Sequence, residues 1–117
     1  MPGLSIHVVD VSRGLVAAGM RVEVLALGAS GWRPLAQGII SAKGTLDDAA
    51  LDARLAAGAY EAVFHVADYY RGAGVPLPAV PFLDIVTYQF GIADPQAHYH
   101  LPFKCTPWGY SCFRGGA

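Results

Sequence analysis

Apolar and polar residues alternate one by one along several short stretches of this chain. In Leu4–Asp10, the side chains of Leu4, Ile6 and Val8 alternate with more polar ones. An alternation with period two is typical of a β-strand that has one buried face. Gly-, Pro- and Asp-containing turns separate the stretches. The predicted strands are Leu4–Asp10, Met20–Leu27, Trp32–Ser41, Gly58–Ala67, Phe82–Gly91, Ala97–Cys105 and Trp108–Phe113.

The remaining segments predict little regular structure. Asp47–Arg54 is compatible with a short strand or a helical turn, and Asp68–Arg71 with one helical turn. Gly72–Pro81 contains three prolines and predicts a loop, while Pro34 places its strand at a sheet edge. Seven or eight strands with one short helix predict an all-β sandwich that forms a single domain over residues 1–117.

Composition narrows the possible partners. The net charge is −1 without a basic stripe, so we expect neither nucleic acid nor an anionic membrane surface as a partner. Hydrophobic residues make up 54% of the chain, yet no apolar run is long enough to span a bilayer. This hydrophobic content is more than a lone soluble domain needs. It therefore predicts that part of the apolar surface is buried between copies of the chain. Two cysteines and the absence of a secretory signal pattern favour the cytoplasm.

Histidines are the main candidates for chemistry. His98, His100 and Lys104 share one face of their strand, opposite an apolar face, and His7 also lies opposite the apolar set of its own strand. Imidazoles can transfer protons near neutral pH. The H-x-H pair with His7 or Asp10 could instead bind a metal, or the histidines could be solvated or interfacial without chemistry.

Two other residue types have less distinctive patterns. Cys105 falls on the apolar face of its strand, which predicts a buried thiol rather than a nucleophile. Arg114, near the chain end, could hold an anionic group or serve only as a solvated charge. Motifs of serine hydrolases, phosphate-binding loops and C-x-x-C redox proteins are absent from the sequence.

Three segments resemble one known family. The tail AHYHLPF…TPWGYSCFRGG is similar to the C-terminal signature of the hydroxyisourate hydrolases, which are transthyretin-related enzymes. The opening LSIHVVDVSRGLVAAGMRVEV is similar to the start of that family, and VPFLDIV with FGIAD is similar to a segment of some bacterial members. The resemblance covers nearly the whole chain.

The resemblance implies a fold, an assembly and an activity. The fold is the transthyretin-like (prealbumin-like) β-sandwich, assembled as a homotetramer that is a dimer of dimers. The active sites lie at the dimer–dimer interface. The activity is hydrolysis of the cyclic amide of 5-hydroxyisourate, a small heterocycle of purine catabolism, without a metal or organic cofactor.

The resemblance also implies roles for particular residues. His7 and His100 match the two catalytic histidines of the family. Thr45 stands where the family has an arginine, and Gly116 stands where it has a terminal serine. Loss of a charged hydrogen bond in a closed site costs about 1.5–3 kcal/mol of transition-state stabilisation.

The two departures leave alternatives open. Lys43 or Lys104 could supply the positive charge of the missing arginine. The candidate substrate-binding residues are Thr45, His98, Lys104, Arg114 and Gly116. We therefore keep two other hypotheses beside hydroxyisourate hydrolysis. One is a diverged paralogue that acts on another small heterocycle, and the other is a non-catalytic module that binds a small ligand.

Overall fold

The computed structural model describes residues 2–116 and contains eight strands and two short helices over that range. The elements are β1 (Gly3–Asp10), β2 (Leu15–Val16), β3 (Arg21–Gly28), β4 (Gly31–Ile39), α1 (Ala49–Asp52), β5 (Gly58–His65), α2 (Val66–Gly72), β6 (Ile85–Ile92), β7 (His98–Thr106) and β8 (Gly109–Cys112).

Two four-stranded sheets pack face to face. One has the order β2-β1-β7-β8 and the other β4-β3-β5-β6. All neighbours pair antiparallel except β1 and β7, which run parallel and join the two ends of the chain. The predicted all-β sandwich is confirmed. Within residues 2–116, no helix combines the length and apolar character needed to cross a bilayer.

The core lies between the sheets, where the alternating apolar side chains meet. Leu4, Ile6 and Val8 are buried, as their alternation predicts. Phe64 of β5 and Phe103 of β7 are fully buried and stack across the sandwich, with ring centroids 3.9 Å apart. Burial of one such side chain contributes about 1.5–3 kcal/mol, so this pair is a main contact between the sheets.

Several predicted boundaries shift. The strand predicted from Phe82 begins at Ile85, because the Asp84 carbonyl accepts hydrogen bonds from the main-chain N–H groups of Val66 and Ala67 instead of joining the sheet. Those same bonds hold the first turn of α2, so β5 ends at His65 rather than at the predicted Ala67.

The prediction of one short helix is wrong, since residues 2–116 contain two. The segment 47–54 contains α1, whose first turn is capped by the Asp48 carboxylate accepting from the N–H of Ala50 at 2.9 Å. Leu51 is buried and attaches α1 to the core. The prediction of an edge strand at Pro34 is confirmed, since β4 is the outer strand of its sheet and is bulged beside that proline.

One carboxylate is fully buried at the end of β1. Asp10 accepts hydrogen bonds from Ser12 Oγ at 2.6 Å, Tyr70 OH at 2.7 Å, Tyr69 OH at 2.9 Å and Arg13 Nε at 2.9 Å. Both tyrosines come from α2, so this cluster fastens the helix to the sheet. Burial raises the pKa of Asp10, but the four hydrogen-bond donors outweigh it and the pKa lies below its ordinary value.

Asp10→Asn should destabilise the fold by about 2–4 kcal/mol, because an amide nitrogen would then face hydroxyl and guanidinium donors. Urea unfolding at pH 7 measures this loss. The carboxylate contribution is present above the ordinary carboxyl pKa of 3.8 and is lost as pH falls through the lower folded value. The control is Asp68→Asn, an exposed carboxylate paired with Arg71, with an expected loss under about 0.5 kcal/mol. Equal losses in both variants would contradict a structural role for the cluster.

Candidate functional site

The parallel pairing of β1 with β7 brings the three candidate histidines onto one outward face. Ser5 lies opposite His100, and His7 lies opposite Pro102. Strand spacing and rise then place the Cα atoms of His7 and His100 about 8 Å apart. All three imidazoles of this face are half-buried. The separation of the two Cα atoms is short enough for the two side chains to contact one small molecule.

Ser5 joins two of these rings. Its Oγ lies 2.6 Å from His100 Nδ1 and 2.8 Å from His98 Nε2. The other ring nitrogen of His98, Nδ1, lies 3.5 Å from the carbonyl oxygen of Pro2. The four groups form a continuous polar chain on the outward face, and we call it the Ser5 chain (Pro2 carbonyl, His98, Ser5 and His100).

His100 is kept neutral by its surroundings. Burial lowers its pKa below the ordinary 6.5, and the neighbouring His7 and His98 lower it further, against a smaller opposing effect of a main-chain hydrogen bond at Ser5. A neutral imidazole at pH 7 retains a lone pair, which is the form that a general base requires.

Thr45 lies directly beside His7. The two residues form an antiparallel bridge at the edge of β1, so their side chains share the outward face. The Thr45 hydroxyl donates to Asp47 Oδ1 at 2.8 Å and lies 3.1 Å from Ser41 Oγ. The place of the family's arginine therefore holds a hydroxyl bound to a carboxylate.

The C-terminal tail runs along β7 next to His100. The N–H of Gly115 donates to the His100 carbonyl at 2.7 Å. A Cβ on Gly115 would lie 2.7 Å from His100 Cδ2, so only glycine allows the tail this close to the ring. Gly116 follows immediately and is exposed.

Arg114 approaches β7 from the face opposite to the imidazoles. Its guanidinium lies 4.0 Å from the centroid of the Tyr99 ring, in a cation–π contact. Tyr99 faces the core, opposite to His100, so the Arg114 side chain lies against the reverse side of the sheet. It lines a small, mostly apolar cavity with Tyr88 and Phe90, and His100 also borders that cavity.

The two candidate lysines differ in their distance from the imidazoles. Lys104 is on the same face as His100, about 13 Å away by strand rise, and its amine lies 5.8 Å from the Phe113 ring centroid. Because Lys104 lies opposite Val9, the Cα atoms of Lys104 and His7 are about 8 Å apart by the same strand spacing. Lys43 is exposed in the turn before Gly44. Neither is in contact with His7 or His100 in the part of the chain that the structure describes.

Asp10 cannot serve as the third ligand of the alternative metal site. Asp10 faces the core and is bound to α2, opposite to His98 and His100. Among residues 2–116, no three His, Cys, Asp or Glu side chains are grouped as metal ligands would be.

The predicted burial of Cys105 is confirmed, and burial raises its pKa to about 11, so this thiol stays protonated at neutral pH.

Known proteins are similar to this chain over nearly its whole length. The sequence profile of the HIUase/Transthyretin family matches residues 4–115. The chain belongs to the HIUase/Transthyretin family. A 5-hydroxyisourate hydrolase of Deinococcus radiodurans is 41% identical over 115 residues, which cover 97% of this chain and 96% of the relative.

Solved structures of the HIUase/Transthyretin fold agree with this membership. The structure of Klebsiella pneumoniae 5-hydroxyisourate hydrolase matches with a TM-score of 0.78 and 29% identity, covering 99% of this chain and all of that one. Sea bream transthyretin, solved in complex with thyroxine, matches in fold with a TM-score of 0.80 at 24% identity, covering 98% and 96% of the two chains. The predicted transthyretin-like sandwich is confirmed.

Sequence reasoning about this HIUase/Transthyretin chain missed Ser5 and the role of the Gly44 turn. The alternation of β1 places Ser5 on the same face as His7, and that signal was available. Gly44 has a φ of +85°, and a Cβ there would lie 2.8 Å from His7 Nε2 and 2.7 Å from Val16 Cγ1. The glycine therefore lets the turn approach the His7 ring.

Gly44→Ala should destabilise the fold and also displace the His7 ring. The positive φ alone costs about 1–2 kcal/mol for a residue with a Cβ. Gly74→Ala is the matched control, because Gly74 has a φ of +80° with open space around its Cβ position. Urea unfolding should give a larger loss for Gly44→Ala, and imidazole NMR signals of His7 should move only in that variant. Identical spectra of His7 in both variants would contradict the contact.

Proposed function

We propose that this chain hydrolyses the cyclic amide of 5-hydroxyisourate in purine catabolism. The observation that carries the proposal is the convergence of His7 and a neutral His100 on one half-buried face. Relatives that share 39–41% identity over at least 94% of their own lengths are 5-hydroxyisourate hydrolases. The substrate is a small heterocycle, and two imidazoles whose Cα atoms lie about 8 Å apart can contact a molecule of that size together.

The proposed step adds water to an amide carbonyl. His100 accepts a proton from a water molecule, and the water oxygen bonds to the amide carbon. The C–N bond of the ring then breaks, and the departing nitrogen takes the proton back from the His100 imidazolium. His7 holds the water or the carbonyl oxygen from the other side. His100 makes both proton transfers and His7 orients the reacting groups, so the proposed step uses no cofactor.

The proposed substrate-binding residues are those around this pair. Thr45 borders His7, and His98 extends the Ser5 chain. Gly116 follows Gly115, whose N–H donates to the His100 carbonyl. Lys104 stays in the proposed set because it shares the outward face with His7 and His100. Arg114 stays in it because Arg114 and His100 line the same small cavity.

The half-buried face that carries the three histidines needs a cover to exclude bulk water, and we propose that a second copy supplies it in a homotetramer. Large apolar side chains in and beside β8 support assembly, since Trp108, Tyr110 and Phe113 are exposed in a single protomer.

The cytoplasm is the proposed location, supported by two free thiols.

A second candidate function follows from the Thr45 hydroxyl, which is bound to Asp47. The family has an arginine at the position of Thr45, whereas this chain has a carboxylate next to that position. Beside His7, a carboxylate favours a heterocycle whose nearest group is neutral or donates a hydrogen bond. A diverged enzyme with the same water-adding chemistry would then act on another small cyclic amide.

The direct test follows the absorbance decay of freshly generated 5-hydroxyisourate. Wild-type protein should accelerate the decay well above the spontaneous rate. His7→Gln and His100→Gln should each lower kcat/KM by about 100-fold or more, because a proton-transfer group typically contributes that much.

The control is His65→Gln, a histidine on the other sheet that is bound to Glu23 at 2.7 Å, and it should retain wild-type turnover. A wild-type rate equal to the spontaneous one, in assembled protein, would rule out the hydroxyisourate hypothesis. Acceleration of another cyclic amide in the same assay would then favour the second candidate.

A further inference from the structure

The Ser5 chain has a direction that hydrogen-bond valence dictates. A serine hydroxyl has one proton, so it donates to one imidazole and must accept an N–H from the other. Ser5 Oγ is within hydrogen-bond distance of His98 and His100 at the same time. When both rings are neutral, two directions are possible, and they give His100 opposite tautomers.

The Pro2 carbonyl selects one direction. A carbonyl oxygen only accepts, and it lies 3.5 Å from His98 Nδ1. A proton on this nitrogen makes the contact attractive, whereas a lone pair there would face the lone pairs of the carbonyl oxygen. The Nε2 atom of neutral His98 is then an acceptor and takes the Ser5 hydroxyl proton at 2.8 Å. The Ser5 oxygen in turn accepts the N–H of His100 Nδ1 at 2.6 Å.

We propose that Ser5 is a positioning residue that holds His100 as its Nδ1–H tautomer, with the lone pair on Nε2. Nε2 is bonded to Cδ2, the ring carbon that faces Gly115, so the lone pair lies on the side of the ring nearest the tail. The catalytic consequence rests on the proposed function, in which this lone pair accepts the proton of the attacking water.

The opposite tautomer would remove the base. With Nε2 protonated, the His100 ring would present an N–H donor at this position and could not accept a proton from water. Ser5 therefore acts through His100 without touching the substrate. The requirement at position 5 is a hydroxyl rather than a particular shape.

A matched pair of variants isolates that hydroxyl. Ser5→Thr keeps it, whereas Ser5→Val has a similar β-branched shape without it, and both residues favour strands. Long-range ¹H–¹⁵N spectra of histidine-labelled protein, above the pKa of the imidazoles, report each tautomer directly. The His100 signals are assigned by their loss in His100→Gln. Ser30→Ala, in the exposed β3–β4 turn, is the control for loss of a serine hydroxyl.

Wild type and Ser5→Thr should show His100 protonated at Nδ1, while Ser5→Val should gain the Nε2–H form, and Ser30→Ala should match wild type. In the hydroxyisourate assay, Ser5→Val should lose roughly tenfold or more in kcat relative to Ser5→Thr, with KM little changed.

An Nε2–H tautomer in wild type, or identical spectra for Ser5→Val and Ser5→Thr, would overturn the inference. Equal kcat values for the two variants would overturn its catalytic part. If the spectra follow the prediction but wild type does not hydrolyse hydroxyisourate, the tautomer assignment stands and the proposed function fails.

Discussion

The parallel pairing of β1 with β7 is the constraint on which the candidate site depends. Ser5 lies opposite His100 only because strands from the two ends of the chain run side by side in this register. A slip of one residue would turn every side chain of one strand to the other face and separate His7 and Ser5 from the histidines of β7. The register is specified by the buried face, where Ile6, Val8 and Phe103 pack into the core. Core packing and site geometry are therefore set by the same contact between strands.

The buried carboxylate of Asp10 supports that arrangement from the inner face. It lies at the last pair of the parallel ladder, opposite Cys105, and its tyrosine donors come from α2 of the other half of the sandwich. A buried charge is costly unless it is fully hydrogen-bonded, and here Asp10 has four side-chain donors. The polar cluster and the histidine face thus lie on opposite sides of β1, with separate roles in stability and in chemistry.

The sequence predicts the features that depend on local periodicity. Alternation with period two placed His7, His98 and His100 on outward faces, and family resemblance identified the fold. Neither could give the contacts that link residues far apart in the chain, such as Ser5 with His100 or Asp10 with the tyrosines of α2. Arg114 shows the same limit, because the face occupied by a side chain at the end of β8 depends on how the tail continues past Cys112. The start of β6 was missed because main-chain bonds to Asp84 outweigh the β-propensity of Phe82.

The central claim is that two imidazoles from opposite ends of the chain serve one ligand. The most direct measurement is a titration of histidine-labelled protein with an oxidised purine that resists hydrolysis, followed by imidazole NMR. Signals of His7 and His100 should shift together with a single saturation constant, while His65 on the other sheet stays unchanged. Shifts confined to one of the two histidines, or saturation at different ligand concentrations, would contradict the account.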